Sequence, residues 1–240
     1  MELAPNLHRV GNDIIAAYLV ADESGITVID AGLVGHWNDL VRELDTMGRT
    51  LSDIRGVVLT HGDSDHIGFA ERLRRELGVP VYVHEADAAR ARGEEKSHPA
   101  WGRMRPGATM RFLAYSIRKG GMRSTPLTAV TPVQDGDTLA LPGNPRVIAL
   151  PGHSAGSIAV HVAAVDAVFV GDALTTRHVL TGRAGAQPAP FTDDPAEAHR
   201  SLKRLASIDA SWVLPGHGTP SHDGTATVVE QIERSTPQRG

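Results

Sequence analysis

Apolar positions along the chain fall into short runs closed by Gly, Pro or Asp, with a few stretches of helical spacing between them. Residues 14–20 and 26–29 read as strands joined by a turn over residues 22–25. The spacing of Trp37, Leu40, Val41 and Leu44 predicts a helix over residues 37–47 that stops at Gly48. Residues 57–60 have the continuous apolar character of a buried strand, residues 67–77 form a second helical stretch closed by Gly78, and residues 79–83 read as another strand. A second strand-rich run covers residues 138–141, 146–150, 157–162 and 167–170. Asp194, Pro195 and Glu197 then make a helix start, with an acid at the cap, Pro at the first helical position and Glu three residues after the cap. Residues 212–214 are one more strand, residues 225–233 a last helix, and residues 235–240 a frayed tail. Strands, helices, strands and helices in that order predict two sheets packed face to face with helices outside. One four-layer α/β domain over residues 1–240 is the architecture expected.

The 240 residues are 41% hydrophobic and 22% charged, enough to bury a real core. The chain has no Cys, which excludes a disulfide framework, a Cys-ligated zinc finger, an iron-sulfur cluster and a cysteine nucleophile. Any metal must be held by His and carboxylates. Aromatic content of 4% and a net charge of -4 argue against nucleic-acid binding. No stretch has the length of a transmembrane helix, and the N-terminal residues lack the apolar core of a signal peptide, so a cytoplasmic protein is expected. Twelve histidines are the compositional oddity.

Four apolar runs each end in a Gly-flanked polar cluster. They lead into His61-Gly62-Asp63-Ser64-Asp65-His66, Pro151-Gly152-His153, Gly171-Asp172 and Pro215-Gly216-His217. A strand end is a rigid mount, and a neighbouring Gly lets the backbone turn so that side chains from different strands converge. His61, Asp63, Asp65, His66, His153, Asp172 and His217 are therefore candidate ligands, a count that suits two metal ions. Two such ions lower the pKa of a shared water and clamp a substrate oxygen, so that hydrolysis needs no protein nucleophile. His8, His36, His98, His199 and His222 lack this setting and read as surface residues. His84 ends a strand-like run without the glycines and reads as support for the site at most, with His161 and His178 in the same class.

The ordered set His61-x-Asp63-x-Asp65-His66, His153, Asp172 and His217 resembles the signature of the metallo-β-lactamase fold superfamily. Val28-Ile29-Asp30-Ala31-Gly32, Leu59-Thr60-His61, Pro151-Gly152-His153-Ser154-Ala155-Gly156-Ser157, Gly171-Asp172-Ala173-Leu174 and Pro215-Gly216-His217-Gly218 agree with it, so the resemblance spans residues 11–218. It implies an αββα sandwich with the site at one edge. It also implies His61, Asp63 and His153 around a first ion, Asp65, His66 and His217 around a second, Asp172 between them, and Asp30 orienting a ligand loop. Zinc is the expected ion. Asp63 departs from the family, where His is usual, and its harder, charged oxygen brings iron or manganese into consideration.

The activity implied is attack by a metal-bound hydroxide on a small molecule, with Asp65 orienting the hydroxide or taking its proton. An ester, lactone or thioester is the expected substrate class. Residues 96–134 carry Lys96, Arg103, Arg105, Arg111, Arg118, Lys119 and Arg123 and no acid, a local charge of +7 against -11 for the rest. A helical lid there suits an anionic or acyl-bearing substrate, and a solvated helix is the alternative. An iron-dependent oxidoreductase or dioxygenase and a non-catalytic ligand-binding relic are the rival readings. Self-association as a homo-oligomer stays open.

Overall fold

The computed structural model describes residues 1–95, 102–123 and 125–235. Lys96 and His98, and the tail over residues 236–240, lie outside them. The first half contains β1 (Glu2–Ala4), β2 (Leu7–Gly11), β3 (Ala16–Asp22), β4 (Gly25–Ile29), α1 (Trp37–Thr46), β5 (Ile54–Val58), α2 (Ala70–Leu77), β6 (Val81–His84), α3 (Ala88–Ala91), α4 (Pro106–Arg118) and β7 (Thr131–Val133). The second contains β8 (Arg146–Ala149), β9 (Ile158–Val162), β10 (Ala167–Gly171), β11 (Thr175–Arg177), β12 (Ala184–Gln187), α5 (Pro195–Ser201), β13 (Trp212–Pro215) and α6 (Thr225–Ser235).

Strands β1 to β7 form one sheet in sequence order, antiparallel from β1 to β4 and parallel from β4 to β7. Parallel neighbours need crossovers, and α1 and α2 supply two of them. The second sheet has the order β13-β10-β9-β8, with only β10 and β13 parallel, and β11 pairs with β12 in a small separate ribbon.

Alternation of side chains across each strand builds the layers. Tyr18, Val20, Ile29 and Val58 of the first sheet meet Val147, Val160, Phe169 and Leu214 of the second in a core between the sheets. The opposite face of the first sheet, with Leu19, Val28 and Val57, packs on Leu40 and Leu44 of α1 and Leu73 of α2. Ile148, Val168 and Val213 turn the other way, onto Leu202, Leu205, Val228 and Ile232. The result is the αββα order. Gly78 ends α2 at φ 69°, the left-handed cap for which glycine is the residue of choice.

Some expectations are corrected. Residues 138–141 form no strand: Thr138 makes one isolated bridge to Arg146, and Leu139 and Leu141 reach the core from a tight loop. His8 and His36 are buried rather than at the surface. His8 Nδ1 pairs with Glu43 at 2.8 Å, and His36 lies between the Leu33 amide, which donates to Nδ1 at 2.8 Å, and the Tyr115 hydroxyl, 2.7 Å from Nε2. His199 is half-buried and His222 is exposed against Trp212.

Candidate metal centre

The loop between β5 and α2 presents His61, Asp63, Asp65 and His66; His153 follows β8, Asp172 follows β10 and His217 follows β13. All seven side chains meet at one edge of the sandwich. Three groups have donor atoms within 4.8 Å of one another: His61, Asp63 and His153; Asp65, His66 and His217; and His61, His66 and Asp172. Each takes two residues from the first half of the chain and one from the second.

The imidazoles are aimed by what holds their other nitrogen. His61 Nδ1 lies 3.0 Å from Thr60 Oγ1, His66 Nδ1 donates to Asp30 at 2.9 Å, His153 Nδ1 lies 3.4 Å from Thr192 Oγ1, and His217 Nδ1 donates to the Ile14 carbonyl. Every Nε2 is therefore turned towards the carboxylates. Asp172 stands between the groups, with Oδ1 3.5 Å from His66 Nε2 and Oδ2 3.1 Å from His217 Nε2 and 3.9 Å from His153 Nε2. Asp63 Oδ2 is 3.3 Å from His153 Nε2 and 3.6 Å from His61 Nε2, and Asp65 Oδ2 is 3.4 Å from His217 Nε2. Gly216 makes this crowding feasible, since a Cβ there would collide with His66 Cε1 and lie 2.6 Å from Asp172 Oδ1.

His61 Nε2, His66 Nε2 and Asp172 Oδ1 are buried without a hydrogen-bond partner. An unpaired buried polar group costs about 1–3 kcal/mol, and one cation satisfies several together. The donor set thus fits divalent ions: nitrogen and oxygen only, converging and desolvated. The electrostatics agree. Burial, with His66 and His153 alongside, holds the His61 imidazole well below its ordinary value. Burial also disfavours charge on His66, but Asp30, Asp172 and Asp65 outweigh it and raise the ring to about 10; Asp172 and Asp65 raise His217 to about 9 against the same burial. Burial pushes the Asp172 carboxyl up, and His217 and His66 reverse that, leaving it well below the usual range. An ion entering the cluster would have to displace the protons that His66 and His217 hold, so its binding would strengthen as pH rises.

Two neighbours of the cluster were not among the sequence candidates. Asp87, buried at the start of α3, accepts from Gly62 N at 2.8 Å, Ser154 Oγ at 2.7 Å and Gly156 N at 2.7 Å, joining the His61 loop to the His153 loop. Arg90 on α3 donates through Nε to Asp63 Oδ1 at 2.5 Å and through Nη1 to Asp193 at 2.6 Å. Their sequence sign is slight: two charged residues three apart among alanines, on one helical face. His84 caps a turn through its Nδ1, which accepts from Ala86 N at 3.3 Å. His178 is half-buried and near enough to His217 for that ring to contribute, after burial, to its lowered pKa, while His161 lies on β9 of the second sheet.

Outside the cluster lies a cavity of about 580 Å³ with Asp63, Asp65 and Arg90 at its inner end. Leu33, Ile67, Phe112, Leu113, Ile117 and Phe191 give it apolar walls. Helix α4 forms one side, and its Phe112 ring stands edge-on to His217 at 6.2 Å. The helix is tied down at both ends, by Thr109 Oγ1 donating to the Leu180 carbonyl at 3.0 Å and by Lys119 pairing with Asp39. Arg103, Arg105, Arg111, Arg118 and Arg123 are exposed.

A family profile described as "Metallo-beta-lactamase superfamily" matches residues 10–217. The chain belongs to that superfamily. Among curated relatives, "Probable metallo-hydrolase YflN" of Bacillus subtilis is 28% identical over 234 residues, 91% of this chain and 86% of the relative. An uncharacterized protein of Mycobacterium tuberculosis, Rv2581c, is 31% identical over 219 residues, 86% of this chain and 87% of the relative. Among solved structures, TTHA1623 in a di-iron-bound form superposes with a TM-score of 0.63 at 28% identity, covering 94% of this chain and 98% of that one. The metallo-beta-lactamase family protein TTHA1429 from Thermus thermophilus gives 0.69 at 24% identity, covering 98% and 79%, and shows the fold alone. Members of the superfamily bind divalent metals, and with the donor groups above this membership supports a metal-dependent hydrolase in general. Among the described residues no helix is long and apolar enough to cross a membrane.

Proposed function

We propose that the chain, as a single domain, hydrolyses an ester, lactone or thioester of a small molecule with an apolar acyl group, using two divalent ions at the seven-residue cluster. His61, Asp63 and His153 would hold one ion, Asp65, His66 and His217 the other, with Asp172 shared. Bound there, divalent ions supply polarisation of the acyl oxygen and a water acidified towards neutrality. The observation that supports an apolar acyl group is the cavity with apolar walls opening on Asp63 and Asp65.

The chain's own groups do the rest. Phe112, Leu113, Ile117 and Phe191 offer the acyl chain an apolar surface. Asp65 borders both the cavity and the His217 group and makes no Arg or Lys ion pair among the described residues, so it is the carboxylate assigned to take the proton of the attacking water. Helix α4 is a fixed wall in this reading, because both ends are anchored. Its exposed arginines face solvent, so they attract anionic substrates to the rim rather than bind them at the cavity floor.

The test is metal analysis of protein purified without added metal, followed by hydrolysis of ester, lactone and thioester series of increasing acyl length. Turnover that requires metal, improves with chain length and disappears in Asp172→Ala supports the reading; metal-loaded protein inert to all three series overturns it. A second reading is an iron-dependent oxidoreductase or dioxygenase. The likeness to a di-iron-bound structure and the carboxylate at position 63 favour it. Stoichiometric iron with substrate-dependent oxygen consumption would select it over hydrolysis.

A further inference from the structure

Asp63 is the unusual donor of the cluster, and its two oxygens are in different situations. Oδ2 faces His61 and His153, whereas Oδ1 is taken by Arg90 Nε at 2.5 Å. The Arg90 side chain is only 6% exposed, and Asp193, on the segment whose amide donates to the His153 carbonyl at 3.1 Å, holds its far side. Asp193 itself is 35% exposed, so solvent screens its charge more than that of the buried Arg90–Asp63 pair.

We propose that Arg90 is a positioning residue that turns Asp63 into a single, charge-compensated donor for the first ion. This rests on the metal reading given above. A free carboxylate beside two imidazoles offers two hard oxygens and a full negative charge, which favours oxygen-loving ions. A guanidinium is permanently charged and rigid. Placed on Oδ1, it withdraws one oxygen and offsets the charge, so the group keeps the electrostatic balance of three neutral imidazoles. Asp63 and Arg90 then form one functional unit, and the preference for harder ions expected from Asp63 alone is held back by Arg90.

The pair is tested by a double-mutant cycle read as metal affinity, not turnover. Metal-free protein is titrated with zinc and with manganese against a chromophoric chelator, for wild type, Arg90→Gln, Asp63→His and the double variant. Arg90→Gln is expected to lower the zinc-to-manganese affinity ratio about tenfold when Asp63 is present and to change it less than about threefold in the Asp63→His background. Arg90→Lys, which keeps the buried charge, guards against a misfolded Gln variant; its smaller effect should run the same way and vanish in the same background. An Arg90 effect independent of residue 63, or no effect in either background while zinc still binds, overturns the proposal. A wild-type chain that binds neither ion overturns the metal reading and this inference with it.

Discussion

His66 Nδ1 donates to Asp30 Oδ2 at 2.9 Å, and that bond turns His66 Nε2 towards Asp172. Asp30 also accepts from Thr60 N at 2.8 Å and from Thr60 Oγ1, which lies 3.0 Å from His61 Nδ1, so one buried carboxylate orients two imidazoles. Asp30→Asn keeps the shape and tolerates the left-handed backbone at φ 58° but loses the charge. Metal affinity is expected to fall about 10–100-fold, read by titration of metal-free protein. An unchanged affinity would show that Asp30 serves folding only.

The environment of His36 makes stability depend on acid. Burial, with Lys119 beside it, lowers this imidazole from 6.5 to about 4. The unfolded chain therefore binds a proton below pH 6.5 that the folded chain refuses until about pH 4, so this contribution is complete above 6.5 and is lost as pH falls between those values. The shift corresponds to about 3 kcal/mol. Urea unfolding of wild type and His36→Gln between pH 7 and pH 4 should show a flatter acid limb for the variant.

Asp87→Ala removes one acceptor from three donors at once. Two of these are backbone amides of the loops that carry His61 and His153. A loss of about 3 kcal/mol is expected in equilibrium unfolding. Asp87→Asn should recover part of it.

Phe112→Ala trims the cavity wall beside His217. KM for long-chain acyl substrates should rise about tenfold, the scale of one apolar ring's burial, with metal stoichiometry unchanged. Acetyl substrates, which have less apolar surface to place against the ring, should show a smaller change.

Much of this was legible in the sequence because it depends on local period. Residues 26–29, 37–47 and 225–233 carried their own strand or helix pattern, and the strand-end clusters, with their glycines, pointed to the residues that the structure brings together. What escaped depends on partners distant along the chain. β2 contains His8 and Arg9, buried only because Glu43 pairs with the first while Asp13 and the Gly218 carbonyl take the second. The three-residue β7 carries Pro132 and has too few positions for a period. Arg90 and Asp87 carry no local pattern that marks them, since their meaning lies in Asp63, Asp193, Gly62 and Ser154.

Each of the three donor groups takes two residues from the first half of the chain and one from the second, so each is complete only when the two halves are together. An ion held there would be a reversible cross-link between the two sheets, closed only while they are docked. Opening the sandwich releases the ion, so resistance to opening should rise with free-ion concentration as RT ln(1 + [M]/Kd). The stability of the closed shell would then be a property of the surroundings as well as of the chain.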